Sequence, residues 1–307
     1  MDFINLGNTK EKIPVLGIGT WKLGAEREVT INIIKNAIHK GLTLVDTAQM
    51  YQNEEIVGQA IRNEKVFLAT KVSPHNFHES DIINSCSESL NKLKIKTIDL
   101  YQLHWPNPNV KIIETMRAME KLVDEGKIRY IGVSNFSINE LESAMGVMKK
   151  YEIVSNQIEY SVMTRDVGDS LSDFCKKNHI SIIAYSPLGG GKLFDKKYEN
   201  VLTFLTNIGK KYGKTPTQVA LNWLLQKENL CAIPKFSSKE HLNENLGSMN
   251  WKLSKEDLEL INNLGQSKKP LSSMLNPITK RMAPLWSNLM TKNERKRINY
   301  KKENEKD

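Results

Sequence analysis

The sequence predicts a single closed (β/α)8 barrel, preceded by a β-hairpin and followed by an appendage. Two observations carry this reading. Short β-branched apolar runs alternate with longer segments of helical periodicity along the 307 residues, and eight such runs occur. Strands joined by long crossovers must lie parallel. Several runs are almost continuous Val, Ile and Leu, which strands buried on both faces require. An open doubly wound sheet is the competing architecture, and its dinucleotide-binding form carries G-x-G-x-x-G after the first strand. Here the first strand leads into Gly17-Ile18-Gly19-Thr20-Trp21-Lys22, and the third glycine is missing. Eight units in a chain of this length favour the barrel.

The elements follow in order. Residues 3–6 and 12–15 flank Gly7-Asn8 as a hairpin placed to close the barrel floor. Strands are expected at 16–19, 44–47, 66–72, 98–104, 129–134, 153–159, 180–185 and 231–234. Amphipathic segments between them include 28–39, 54–62, 82–93, 112–124 and 139–150. The run Gly189-Gly190-Gly191-Lys192 is not a phosphate loop, because the first glycine is misplaced and Leu193 stands where Ser or Thr belongs. After Leu264 the periodicity weakens. The barrel is therefore expected over 1–265, with 266–307 a basic tail, part ordered and part frayed.

Charge and cysteine usage exclude several classes. The net charge of +9 suggests a polyanion-binding surface until it is located. Residues 268–307 hold eleven Lys and Arg against four Asp and Glu, which leaves +2 for the rest of the chain. A basic tail reads first as a solvated end, and no nucleic-acid partner is expected. Its apolar residues, such as Leu271, Leu285 and Trp286, suit packing on the barrel first, a pocket lid second, and an anionic surface last. Residues 1–9 lack the basic and apolar regions of a signal peptide, and no apolar run approaches the roughly 20 residues of a membrane span. The three cysteines, Cys86, Cys175 and Cys231, are far apart and form no C-x-x-C. Neither a zinc site nor a disulfide framework is indicated, and a monomer in a reducing cytoplasm is expected.

In such a barrel the C-terminal strand ends and the loops after them build the site. The second strand ends at Asp46, with Tyr51 in its loop. The third ends in Lys71 and the fourth in His104-Trp105-Pro106. Taken singly, Asp46 reads as a turn residue, Lys71 as a solvated charge and His104 as packing. Together, on three neighbouring strands, they have complementary roles. A free tyrosine, with a pKa near 10, is a poor acid at neutral pH. A lysine beside it favours the phenolate and lowers that pKa. An aspartate holds the lysine charged. Tyr51 then becomes a proton donor to a carbonyl oxygen gaining negative charge, and His104 can donate a hydrogen bond to the same oxygen.

These residues resemble the aldo-keto reductase family over about 17–245. The likeness is carried by Gly-Ile-Gly-Thr-Trp at 17–21, Asp-Thr-Ala-x-x-Tyr at 46–51 with Asn53-Glu54-Glu55 behind it, and Ala-Thr-Lys at 69–71. It continues through Leu-His-Trp-Pro at 103–106, Gly-Val-Ser-Asn-Phe at 132–136, Asn-Gln-Ile-Glu-Tyr at 156–160, Ala-Tyr-Ser-Pro-Leu-Gly at 184–189 and Ile-Pro-Lys at 233–235. The resemblance implies that Asp46, Tyr51, Lys71 and His104 are a catalytic tetrad. It implies reduction of aldehydes or ketones with a nicotinamide cofactor, NADP(H) ahead of NAD(H); no metal is expected, because no His, Cys, Asp or Glu cluster has ligand spacing and Lys71 supplies the positive charge. Ser134, Asn135 and Gln157 would hold the carboxamide, Tyr185 would stack on the nicotinamide, and Asp46 would also be among the cofactor-binding residues. Gly19, Thr20 and Trp21 would lie beside it, and Ser186, Leu188 and Gly190 would wrap the pyrophosphate. Trp21, Tyr51, His104 and Trp105 would meet the small-molecule carbonyl substrate.

At the adenosine end the resemblance places Lys235, Ser237, Ser238 and His241 by the 2′-phosphate, and Glu244 and Asn245 by the adenine. Two departures stand out. Phe236 occupies a position that is often serine, and His241 replaces a frequent arginine with its planar, permanently charged fork. Two further readings share this fold: a nucleotide-sensing subunit without turnover, and an enzyme running mainly as an aldose or alcohol dehydrogenase.

Overall fold

The structure, a computed structural model, describes residues 2–23, 26–165 and 168–264. Its main sheet comprises β3 (Ile18–Gly19), β4 (Leu44–Asp46), β5 (Phe67–Val72), β6 (Ile98–Leu103), β7 (Ile128–Ser134), β8 (Ile153–Glu159), β9 (Ser181–Tyr185) and β10 (Leu230–Ala232). Strands adjacent in sequence are adjacent in space, and each pair is parallel. The two ends of the row meet. Leu16 bridges Ala232 in parallel, Gly17 N–H donates to the Ala232 carbonyl at 2.8 Å, and Gly19 N–H donates to that of Pro234 at 3.1 Å. The approach is close enough to demand glycine, because a Cβ on Gly19 would stand 2.5 Å from the Ile233 carbonyl oxygen. A doubly wound sheet stays open, so this closure decides for the barrel.

The hairpin forms where the sequence places it. β1 (Phe3–Asn5) pairs antiparallel with β2 (Lys12–Pro14), with Ile4 opposite Ile13. Leu6 and Ile13 are fully buried and pack with Leu44, Ala69, Leu100, Ile183 and Cys231 inside the barrel. The Ser181 hydroxyl fastens the hairpin to β9, accepting from Gly7 N–H at 2.8 Å and donating to the Asn5 carbonyl at 3.0 Å.

Residues two apart on a strand share a face, and this spacing divides the interior into layers. Leu44, Ala69 and Leu100 belong to the apolar floor. Two residues further on stand Asp46, Lys71 and Gln102, all buried. Tyr185 follows Ile183 in the same way. The polar layer therefore lies one step toward the C-terminal strand ends.

Helices α1 (Arg27–His39), α2 (Glu54–Ala60), α3 (Glu79–Leu93), α4 (Ile112–Asp124) and α5 (Ile138–Met145) follow the expected order. The last is shorter than its sequence pattern. It opens on a capping box of Ser137 and Glu140 and has Gly146 as its C-cap, so the pattern over 146–150 is not helix. The sequence reading did not delimit α6 (Gly168–Lys177), α7 (Glu199–Tyr212), α8 (Pro216–Leu225), α9 (Lys239–Leu246) or α10 (Lys255–Asn262). α7 stops at Gly213 in left-handed backbone (φ 63°), and α8 restarts at once on a Thr215–Gln218 capping box with Pro216 in its first turn. Among the described residues, no helix is long and apolar enough to cross a membrane. The compact barrel unit ends at Asn262, and the appendage expected over 266–307 falls outside the described residues.

Candidate active site

The C-terminal strand ends open into one cavity of about 1140 Å³. At its floor Asp46 ends β4, and Lys71 is the penultimate residue of β5. Lys71 has no exposed surface and Asp46 almost none. Lys71 Nζ donates to Asp46 Oδ1 at 2.5 Å, to the Thr47 carbonyl at 2.7 Å and to the Tyr51 hydroxyl at 3.4 Å. Three acceptors satisfy the three protons of an ammonium group. Tyr51 comes from a single 3-10 turn, Gln49–Tyr51, which Gln52 closes in left-handed backbone (φ 54°). The His104 ring meets the Tyr51 ring edge-on, with centroids 5.6 Å apart.

Burial decides the charge states. It works against a charged Lys71, but Asp46 and then Tyr51 outweigh it, and the lysine pKa stands above its ordinary value. Burial, followed by the Lys71 charge, pushes His104 down to about 3, so the imidazole is neutral. For Tyr51 burial is again the largest influence and raises the pKa; Lys71 lowers it by less, and Asp46 adds to the rise. The expectation that Lys71 brings the Tyr51 pKa below its ordinary value is thus reversed. Desolvation disfavours the phenolate more than one lysine, already neutralised by Asp46, can compensate.

Above the tetrad a second network forms one wall. Gln157 Nε2 donates to Asp46 Oδ2 at 2.8 Å. The Ser134 hydroxyl donates to the Gln157 carbonyl at 2.9 Å. Asn135, in left-handed backbone (φ 62°), donates through Nδ2 to the His104 carbonyl at 3.1 Å and to the Ser134 hydroxyl at 3.0 Å, and accepts from the Tyr185 hydroxyl at 2.9 Å. Two buried polar atoms of cavity-lining residues have no partner in the protein, the Thr20 hydroxyl and His104 Nδ1. Orphaned groups of this kind fit a polar ligand.

The sequence profile of the Aldo/keto reductase family matches residues 15–266. The chain belongs to this family. It is 33% identical to methylglyoxal reductase YeaE of Escherichia coli K12 over 258 residues, 81% of this chain and 90% of that protein. Among solved structures, a thermostable aldo-keto reductase crystallised with the inhibitor epalrestat is 39% identical, with a TM-score of 0.82 over 86% of this chain and 100% of that one. An aldo/keto reductase of Klebsiella pneumoniae in complex with NADP and acetate is 30% identical, with a TM-score of 0.78 over 87% and 96% of the two chains. Membership makes this aldo-keto reductase an oxidoreductase of carbonyl compounds.

Most residues singled out in the sequence line the same cavity. They are Gly19, Thr20, Trp21, Asp46, Tyr51, His104, Trp105, Ser134, Asn135, Gln157, Tyr185, Ser186, Leu188, Gly190, Lys235, Ser237, His241, Glu244 and Asn245. Lys71 stands behind Tyr51 rather than in the wall. Ser238 is not in the wall either; it is the N-cap of α9, its hydroxyl accepting from His241 N–H at 3.2 Å. Phe236 is buried, so the departure there presents no aromatic surface to the cavity. Lys235 is exposed and touches the Lys22 carbonyl at 3.3 Å. Glu244 accepts from the Thr215 hydroxyl.

The site of this aldo-keto reductase also contains residues that sequence reasoning passed over. Met50 and Phe194 are exposed and line the cavity, as Trp21 and Trp105 do. Nothing local marks them, because each reaches the cavity only through the placement of its loop in the fold. Asn53 was legible as part of a motif, without a role. Its amide donates to the Thr20 and Leu23 carbonyls at 2.8 and 3.0 Å and accepts from the Thr47 hydroxyl at 2.9 Å, tying the Trp21 loop to the Tyr51 loop. Gln102 carried a signal, the one amide in its strand, two residues before His104.

Proposed function

We propose that this aldo-keto reductase reduces aldehydes or ketones to alcohols with NADP(H), using Tyr51 as general acid. The observation that carries the reading is the Tyr51 hydroxyl at the cavity floor, held 3.4 Å from a fully buried lysine ammonium. The Klebsiella relative in complex with NADP supports the cofactor. Ser134, Asn135 and Gln157 would hold the carboxamide, Tyr185 the ring face, and Ser186, Leu188 and Gly190 the pyrophosphate. Lys235, Ser237 and His241 would meet the 2′-phosphate, with Glu244 and Asn245 at the adenine. When bound, the nicotinamide supplies a hydride to the carbonyl carbon.

The protein's own groups handle the proton. A raised pKa keeps Tyr51 protonated at neutral pH, so the acid form is loaded before reaction. As the carbonyl oxygen gains charge, the Tyr51 proton passes to it. Lys71 stabilises the phenolate left behind, its ammonium already held in place for that charge. Asp46 holds that lysine in place. His104, neutral, donates its single N–H to the same oxygen. In reverse, the phenolate takes the proton of an alcohol, and the cofactor ratio sets the direction. Trp21 and Trp105 wall the substrate.

The test is a carbonyl panel run with NADPH and with NADH: methylglyoxal, short aldehydes, diketones and aldoses. Similarity to a methylglyoxal reductase supports trying small 2-oxoaldehydes first. Turnover of at least one class with NADPH is expected. NADPH binding with no turnover of any carbonyl would leave a nucleotide-binding subunit instead.

A further inference from the structure

The inward-facing row that carries Lys71 continues across the barrel below the cavity. Lys71 pairs in register with Gln102, and Gln102 with Gly132. Gln102 is fully buried and takes no part in the proton transfer described above. A buried amide costs free energy unless both ends are bonded. Here both are. Gln102 Nε2 donates to Asp46 Oδ2 at 3.4 Å, and Gln102 Oε1 accepts from Gln157 Nε2 at 3.4 Å. Gln157 Nε2 also donates to that Asp46 oxygen, at 2.8 Å. The strand beside Gln102 makes room for it. A Cβ at Gly132 would stand 2.9 Å from Gln102 Cγ and 2.5 Å from the Ser155 hydroxyl oxygen.

The two ends of a glutamine amide have opposite chemistry, since the NH2 only donates and the oxygen only accepts. Only the NH2 end of Gln157 can face the Asp46 carboxylate. One of its protons goes to Asp46 and the other to Gln102 Oε1. Both are then used inside the protein, and Gln157 Oε1 is left as an acceptor for the cavity that Gln157 lines. We propose that Gln102 is a positioning residue which, with Asp46, locks the Gln157 amide so that the site reads the amino group of a carboxamide. This rests on the nicotinamide cofactor proposed above. Asp46 thereby joins two halves of the site: Oδ1 holds Lys71, and Oδ2 sets Gln157. In Gln102→Met the side chain keeps its length but offers Gln157 only a thioether sulfur, a weak acceptor. The Gln157 amide then hangs on one bond and turns more freely.

Two reduced cofactors separate the outcomes: NADPH, and its 3-acetylpyridine analogue, in which a methyl replaces the amino group. Their dissociation constants are read from quenching of tryptophan fluorescence, with Trp21 and Trp105 in the cavity wall. Wild-type protein is expected to bind NADPH about fivefold more tightly than the analogue, the worth of one hydrogen bond. In Gln102→Met the gap should shrink to roughly twofold or less. The ratio of the two constants on one preparation does not depend on the folded fraction. Should the methionine variant fail to fold, Gln102→Asn, one methylene short of its partners, is expected to give the same loss. Wild-type protein that binds neither cofactor overturns the nicotinamide reading and the lock with it. Wild-type protein that binds both equally, or variants that keep the wild-type gap, overturn the lock alone.

Discussion

Replacing Tyr51 by Phe removes one hydroxyl and keeps the ring that packs against His104. That makes it the cleanest probe of the proton donor. Lys71→Met is a poorer one, because it leaves Asp46 ionised and buried without its partner, a loss of about 3–5 kcal/mol. We expect Tyr51→Phe to lower the rate of reduction about 10²-fold or more with NADPH affinity retained. Steady-state kinetics and a binding titration check this, and near-normal turnover would remove Tyr51 from the mechanism. Burial sets the resting state of this tyrosine; in the proposed mechanism the lysine acts on the phenolate that forms. The types and spacing of the four residues were legible because each sits at a strand end or in the loop just after one. Their balance was not, because desolvation depends on everything packed around them.

At the scale of elements, the hairpin is the part whose contribution separates from the chemistry. Ile13 is fully buried in the barrel floor, at the opposite end from the cavity. Ile13→Ala should lower stability by about 2–5 kcal/mol through lost apolar contact and the cavity left behind. Cofactor affinity should be unchanged, because the polar layer of Asp46, Lys71 and Gln102 is tied to the strands by its own bonds. Urea unfolding followed by a binding titration tests both halves. A variant with unaltered stability would mean that the hairpin is not part of the folding unit. Turn residues and alternating apolar positions made this hairpin readable. The helices between β9 and β10 were less so, because α7 and α8 follow one another directly with no strand to separate their patterns.

For the molecule as a whole, two long-range effects follow. Neutral in the folded state, His104 has its pKa pressed to about 3 from an ordinary 6.5. The unfolded chain therefore binds a proton that the folded chain refuses across that interval. Stability from this group is complete above about pH 6.5 and is lost as pH falls toward 3, by up to ~4 kcal/mol. His104→Gln has no proton to gain, so its stability should fall less steeply between those limits in chemical unfolding at a series of pH values. An identical slope in both proteins would place the acid sensitivity elsewhere. The second effect lies at the far end of the cavity. Lys235 is the fixed cation expected at the 2′-phosphate, and a charge-assisted contact is worth roughly 1.5–3 kcal/mol. Lys235→Ala should weaken NADPH about tenfold or more and leave NADH nearly unaffected. Equal dissociation constants for both cofactors, untouched by the substitution, would show that the phosphate is not read there.

The sequence by itself determined the barrel, the hairpin beneath it and the strand-end residues that line its mouth. Those follow from local rules: period-two burial, turn chemistry, and the fixed position of a strand end relative to the loop after it. Tertiary structure alone decided what depends on neighbours distant in the chain. It closed the sheet through Gly19 and Ile233, 214 positions apart in sequence. It assigned Ser238 to a helix cap instead of the cavity wall. It reversed the direction of the Tyr51 pKa. It also set Gln102 of β6 between Asp46 of β4 and Gln157 of β8, a contact between strands that are not neighbours in the sheet, in space that Gly132 of β7 leaves open. Burial and register are properties of the whole packed barrel, so no window of residues contains them.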